Sequence, residues 1–189
     1  MNWKQNLRVQ IAARLLARGE VIAYPTEAVW GLGCDPMARD AVAALLALKQ
    51  RPEAKGLILI AARPEQLLPF IGDLSSDELA RLASAGPVPT TWVVPASDLV
   101  PSWLNGGRST LAVRVTRHPL AAALCAAFGG PIVSTSANPQ GKPPAKTALK
   151  VRCYFPADSV HVVAGPLGKA AKPSEIRDLR SGEILRPGT

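Results

Sequence analysis

With 189 residues, 48% of them apolar, the chain is long enough for one substantial core and too short for two, so a single domain spanning residues 1–189 is expected. No run approaches the roughly 20 apolar residues of a membrane helix, and the opening MNWKQNLRVQ lacks the apolar centre and small-residue cleavage site of a secretory signal, so the expected location is cytoplasmic, with no membrane partner. Three scattered cysteines, Cys34, Cys125 and Cys153, and two histidines, His118 and His161, argue against a disulfide framework and against a metal site.

The formal charge of +8 is unevenly held: residues 1–100 carry ten basic and ten acidic side chains, residues 101–189 twelve and four. An asymmetric basic surface attracts polyanions, either phosphate-bearing small molecules or nucleic acid. A generically basic surface explains the same numbers.

In chain order, LRVQIAARLLARG spaces Leu7, Ile11 and Leu15 as one helical face, with Gly19 placed to end the helix. The strand VIAYP follows. RDAVAALLALKQRP sets Val42, Leu45, Leu46 and Lys49 on helical spacing, and Pro52 predicts a stop near Gln50. GLILIA reads as a buried strand. Ser75 and Glu78 form a capping box before LARLASA. The strands TTWVVPA, TLAVRVT, PIVSTS and SVHVVAG are interleaved with the helical PLAAALCAAF, and SEIRDLRSGEILRPG closes the chain with a hairpin turning at Ser181-Gly182. This alternation is α/β. NPQGKPPAK, dense in Pro, Gly and Lys, reads as a mobile loop.

Four stretches have the composition of a site. In YPTEAVWGLG a strand ends at Pro25 and presents Thr26 and Glu27 before a glycine turn, a favoured ligand position in α/β sheets and equally an ordinary turn. In KQRPEAK, Lys49, Arg51 and Lys55 are placed to converge on an anion, or to complement a helix C-terminus. In PIVSTSAN, Ser134 and Ser136 share one side of an extended chain and Asn138 adds an amide, a row suited to ribose and phosphate oxygens or to a capping turn. Arg186 ends the last strand. There is no P-loop and no dinucleotide fingerprint, and neither histidine sits with a nucleophile. Any catalysis here works by positioning and electrostatics.

Taken in order, AYPTEAVWGLGCDP, LKQRP with KGLILIA, LAVRVT with HPL, STSAN with GKPP, PSEIRD and LRPG resemble the YrdC family, in its short bacterial threonylcarbamoyl-AMP synthase form, from Val21 to Gly188. The resemblance implies an open, twisted mixed sheet flanked by helices, with a basic concave face. It implies a nucleotidyltransferase that joins L-threonine, bicarbonate and ATP into threonylcarbamoyl-adenylate, releasing pyrophosphate. A partner complex would then transfer the group to tRNA.

Residue by residue, it implies Lys49 and Arg51 at the reaction centre, and Lys55, Thr91, Ser134, Ser136, Asn138 and Arg186 around the nucleotide. Thr26, Arg114 and Ser174 would lie near the amino acid. No tightly bound cofactor is implied, since Mg²⁺ arrives with ATP. The chain departs from the family pattern at PVPTT, where Val88 replaces a glycine and puts the Thr91 contact in question. With the sequence ending at Thr189, the C-terminal domain of the long family form is not expected.

Two other readings stand beside this one. A non-catalytic module could hold tRNA or double-stranded RNA on the basic half, the aromatic content of 5% being low for single-strand stacking. An O-carbamoyltransferase or a carbamoyl-adenylate enzyme of the hydrogenase-maturation type ranks last, because those carry additional zinc-finger and acylphosphatase-like parts.

Overall fold

Side chains alternate between the two faces of an extended chain, so a strand buried on both faces reads as a continuous apolar run. In the computed structural model, which describes residues 2–84 and 88–188, β1 (Ile22–Pro25) sends Ile22 and Tyr24 to one face and Ala23 to the other. β3 (Ile58–Ala61) divides Ile60 from Leu59, and β6 (Ile132–Ser136) divides Ile132 from Val133, in the same way.

Helices α1 (Leu7–Ala17) and α5 (Pro119–Phe128) cover the Ile22, Tyr24, Ile60 and Ile132 face. The opposite face is covered by α2 (Arg39–Lys49), by Leu82 of α3 (Ser76–Ala83), by Leu104 of α4 (Ser102–Asn105) and by Val151 of α6 (Ala148–Tyr154). Burying each large aliphatic side chain in these two layers contributes about 1.5–3 kcal/mol.

The remaining strands are β2 (Trp30–Gly33), β4 (Thr90–Pro95), β5 (Thr110–Val115), β7 (His161–Val162), β8 (Glu175–Asp178) and β9 (Ile184–Arg186). Among the described residues, all these strands together with β1, β3 and β6 build one mixed nine-stranded sheet in the order β7-β1-β2-β6-β3-β5-β4-β8-β9. β6 is inserted between β2 and β3, antiparallel to both, pairing Ser136 with Gly31 and Ser134 with Ile58. This insertion sets the hydroxyl row of β6 beside the β1–β2 turn.

The expected helix ends are observed. Gly19 follows α1 at φ +82°, Gln50 closes α2 in the left-handed conformation, and Ser75 and Glu78 make the capping box at 3.2 and 2.7 Å. The apolar face of α1 differs from expectation. Leu7 and Ile11 are exposed, at 71% and 39%, whereas Val9, Ala12, Ala13 and Leu16 are buried. That i, i+3, i+4, i+7 stripe lets α1 approach α5 closely through small side chains. Met37, Leu68 and Leu149 are also exposed.

Two further readings are corrected. WGLG is a strand, not a glycine turn, because its glycines leave space for neighbours: a Cβ on Gly33 would lie 2.5 Å from the Val133 carbonyl and 2.9 Å from the Tyr24 ring. The stretch 138–146, expected to be mobile, is tied to the end of α2 and to the sheet. Gln140 N–H donates to the Lys49 carbonyl at 2.9 Å, and fully buried Ala145 bridges Ala137 and Trp30 by backbone hydrogen bonds.

Pro87 of PVPTT lies outside the described residues, while Val88 is 50% exposed. No described helix is long and apolar enough to cross a membrane. Among the described residues no cluster of His, Cys, Asp and Glu is arranged to hold a metal ion. Burial pushes the Cys34 and Cys125 thiols up to about 12, which marks both as core side chains.

Candidate active site

The β1–β2 turn is closed by Thr26, whose hydroxyl donates to the Val29 carbonyl at 2.6 Å. Glu27 follows and reaches across to β5. Its Oε1 accepts from the Thr116 hydroxyl at 2.7 Å and from the Arg117 N–H at 3.2 Å, and its Oε2 pairs with Arg114 at 3.5 Å. Burial raises the Glu27 carboxyl, but the Arg114 charge, the Thr116 hydroxyl and the backbone donors together outweigh it and hold the group below its ordinary value.

A strap made of residues 164–173 lies on this turn. Gly168 N–H donates to the Thr26 carbonyl and Ala170 N–H to the Glu27 carbonyl, each at 2.9 Å, while His118 Nε2 bonds the Pro166 carbonyl at 3.1 Å. His118 also caps α5 through Nδ1, so its role is structural. A Cβ on Gly168 would stand 2.5 Å from the Glu27 carbonyl oxygen. Gly168→Ala is therefore expected to lift the strap and destabilise the fold by about 1–3 kcal/mol, read as a lower urea midpoint.

The cations come from three places. α2 ends with Lys49, only 5% exposed, whose ammonium donates to the Ser136 carbonyl and, at 3.0 Å, to the Asn138 carbonyl. Burial, and then the Arg51 charge, pull it down to about 8. Beyond the Gln50 turn, Arg51 Nη2 donates to the Gly56 carbonyl at 2.9 Å, and Arg186 approaches from β9. Burial lowers both guanidiniums, with Arg186 adding to the effect on Arg51 and Arg114 to that on Arg186.

These elements enclose a cleft of about 330 Å³ lined by Thr26, Glu27, Arg51, Arg114, Ser134, Ser136, Ser174 and Arg186, with Pro144 and Pro173 at its walls. Three guanidiniums face one carboxylate there. Glu27 Oε2, Arg51 Nε and Arg114 Nε are buried without hydrogen-bond partners, which is costly in a closed protein interior and natural in a site that binds a polar ligand. A wider groove of about 780 Å³ beside α1 and α5 has five alanines in its walls and, among the described residues that line it, one charge, Arg63. The smaller cleft is the one whose chemistry selects a polyanion.

The structure brings Thr26, Arg51, Arg114, Ser134, Ser136, Ser174 and Arg186 together. Lys49 sits behind the β6 turn, with its ammonium on backbone carbonyls. Thr91 is fully buried and shares a 2.8 Å hydrogen bond with the Ser174 hydroxyl, which it positions. Asn138 folds its own loop by donating to the Pro139 and Lys142 carbonyls at 3.1 and 2.7 Å, and its Oδ1 is buried without a partner. Lys55 is exposed in a short 3₁₀ turn and does not line the cleft. Sequence reasoning paired Glu27 with Thr26 and missed its partner Arg114, since only the sheet order brings the two strands together.

A family model described as telomere recombination, Sua5/YciO/YrdC, matches residues 14–188. Curated threonylcarbamoyl-AMP synthases of Cellvibrio japonicus and Halorhodospira halophila are 54% and 56% identical to this chain. They cover 99% and 95% of it and are themselves covered over 99% and 94% of their lengths. Among solved structures, P. abyssi Sua5 complexed with L-threonine has a TM-score of 0.88 at 32% identity, covering 95% of this chain and 54% of its own. The chain thus spans about half the length of that relative. E. coli YciO has a TM-score of 0.81 at 24% identity, covering 96% of this chain and 89% of its own, a likeness of fold.

Proposed function

The chain belongs to the Sua5/YciO/YrdC family, and from that premise we propose that it condenses L-threonine, bicarbonate and ATP into threonylcarbamoyl-AMP and pyrophosphate. The observation that carries the reading is the cleft with three arginines, one carboxylate and a row of hydroxyls. Threonine and bicarbonate join, with loss of water, as a carbamate, which is an anion. Its oxygen attacks the α-phosphorus of ATP, the bond to the β-phosphate oxygen breaks, and pyrophosphate leaves.

Both reactants are negative, so the barrier is largely one of like charges. Fixed guanidiniums in a half-buried cleft lower it without having to reorganise. Arg51 and Arg186 are assigned to the phosphates, Ser134 and Ser136 to nucleotide oxygens, and Arg114, Thr26 and Ser174 to the amino acid. Lys49 holds the β6 turn at the reaction centre, and Asn138 shapes the adjoining loop. Magnesium enters with the nucleotide. The product is an activated acyl group that a separate tRNA-modifying complex would consume.

The test is pyrophosphate release from Mg-ATP and bicarbonate, with and without L-threonine, with L-serine as control. Threonine-dependent release is expected. Its absence from folded protein overturns the reading and leaves polyanion binding by the basic half as the activity to measure, by salt-dependent binding of tRNA.

A further inference from the structure

Tyr24 is fully buried on β1, and its hydroxyl donates to Ser134 Oγ at 3.0 Å. The ring has room there because Gly33, two residues past Gly31 on the neighbouring strand, has no side chain: a Cβ at Gly33 would lie 2.9 Å from Tyr24 Cε1 and 3.3 Å from its hydroxyl. Ser134 is itself 5% exposed, yet it lines the cleft. The glycines of β2, the tyrosine of β1 and the serine of β6 thus form one packed unit extending from the core to the site.

A phenol is more acidic than an alcohol and is the better donor. With Tyr24 donating, an acceptor position of Ser134 Oγ is filled, and the serine's own hydrogen is free to point into the cleft. We infer that Tyr24 is a positioning residue for nucleotide binding, holding Ser134 as a hydrogen-bond donor to an acceptor oxygen or ring nitrogen of ATP. This rests on the proposed synthase activity for the identity of the nucleotide. Without the phenol, the serine hydroxyl turns between alternative partners and part of the binding energy is lost in ordering it. The effect belongs to the nucleotide and not to threonine.

The experiment is a double-mutant cycle on the full chain with Tyr24→Phe, Ser134→Ala and the pair. Mg-ATP binding is followed by calorimetry, and KM for ATP and for threonine are taken from pyrophosphate release. Tyr24→Phe is expected to weaken Mg-ATP binding about five- to tenfold, on the scale of one hydrogen bond, with KM for threonine unchanged. Ser134→Ala is expected to cost at least as much, and the double variant to match Ser134→Ala within about twofold. Removing both polar partners together leaves no orphaned group, so the double variant supplies folded protein even if one single variant is unstable.

The proposal is overturned if Tyr24→Phe binds Mg-ATP like the wild type, if the two losses multiply in the double variant, or if KM for threonine rises in step with that for ATP. If the wild type binds Mg-ATP but releases no pyrophosphate with threonine, the synthase reading fails, and the binding ratios alone decide the role of Tyr24. If it binds no Mg-ATP, both readings fall.

Discussion

Arg51→Ala is expected to lower kcat/KM for threonine-dependent pyrophosphate release by roughly 10³-fold, while the denaturation midpoint changes little. The two effects separate because the guanidinium is poorly placed for stability: burial and the neighbouring Arg186 charge both disfavour it. Against this stand its hydrogen bonds to the Gly56 and Lys55 carbonyls at 2.9 and 3.4 Å, each contributing about 1 kcal/mol. These opposing contributions largely offset each other in the free protein. With a triphosphate bound, the repulsion becomes attraction. Arg51→Lys keeps the charge but loses the planar fork, so it is expected to recover only part of the rate. Steady-state kinetics beside urea unfolding check both statements, and a variant that loses activity and stability together would assign Arg51 to the fold instead.

A pH effect of opposite sign on stability and on rate is expected from Lys49. Its ammonium is pulled down to about 8 in the folded chain, from 10.5 for an ordinary lysine. Between those two values the unfolded chain binds the extra proton and the folded chain does not, so folding stability rises with pH through this window. Below about 8 both states are protonated and the cost of burying the charge is felt in full. The gain on crossing the window is roughly 3 kcal/mol.

The rate moves the other way, because the neutral amine grips the Ser136 and Asn138 carbonyls less firmly and no longer offsets substrate charge. Lys49→Met, close to isosteric, should flatten the stability slope between pH 8 and 10 and reduce kcat by about 100-fold or more. Urea unfolding of the free protein at a series of pH values reads this directly. Identical slopes for the wild type and Lys49→Met would remove Lys49 as the titrating group.

Much of the architecture was legible because local chemistry and global fold agree. Pro52 and the apolar spacing of Val42, Leu45 and Leu46 mark α2 and its end, and the capping box marks α3. β2 was hidden because Gly31 and Gly33 carry a turn signature locally, while their purpose is to admit the Tyr24 ring and the Val133 carbonyl from other strands. The face of α1 was misjudged for a related reason: Leu7 and Ile11 are the larger apolar residues, yet close packing on α5 favours Ala12 and Ala13.

At the site, residue types were readable and directions were not. Lys49 and Arg51 leave one helix end, but Lys49 turns to the carbonyls of Ser136 and Asn138 and Arg51 into the cleft. Lys55, a few residues on, points away because it sits in a separate 3₁₀ turn. Thr91 bears on the cleft only through Ser174.

The central position of β6 also governs how the molecule comes to exist. β2 and β3 are made early, yet neither gains its neighbour on that side until the chain has run on to Ile132 and threaded β6 between them. Until then two strand edges stay open, and such distant pairings make folding slow and aggregation-exposed. The Ser134 and Ser136 hydroxyls arrive on that inserted strand, and the carbonyls gripped by Lys49 arrive at its end and just beyond it. Arg186 arrives later still, on β9, so the cleft is complete only once the inserted strand and the last strand are both in place.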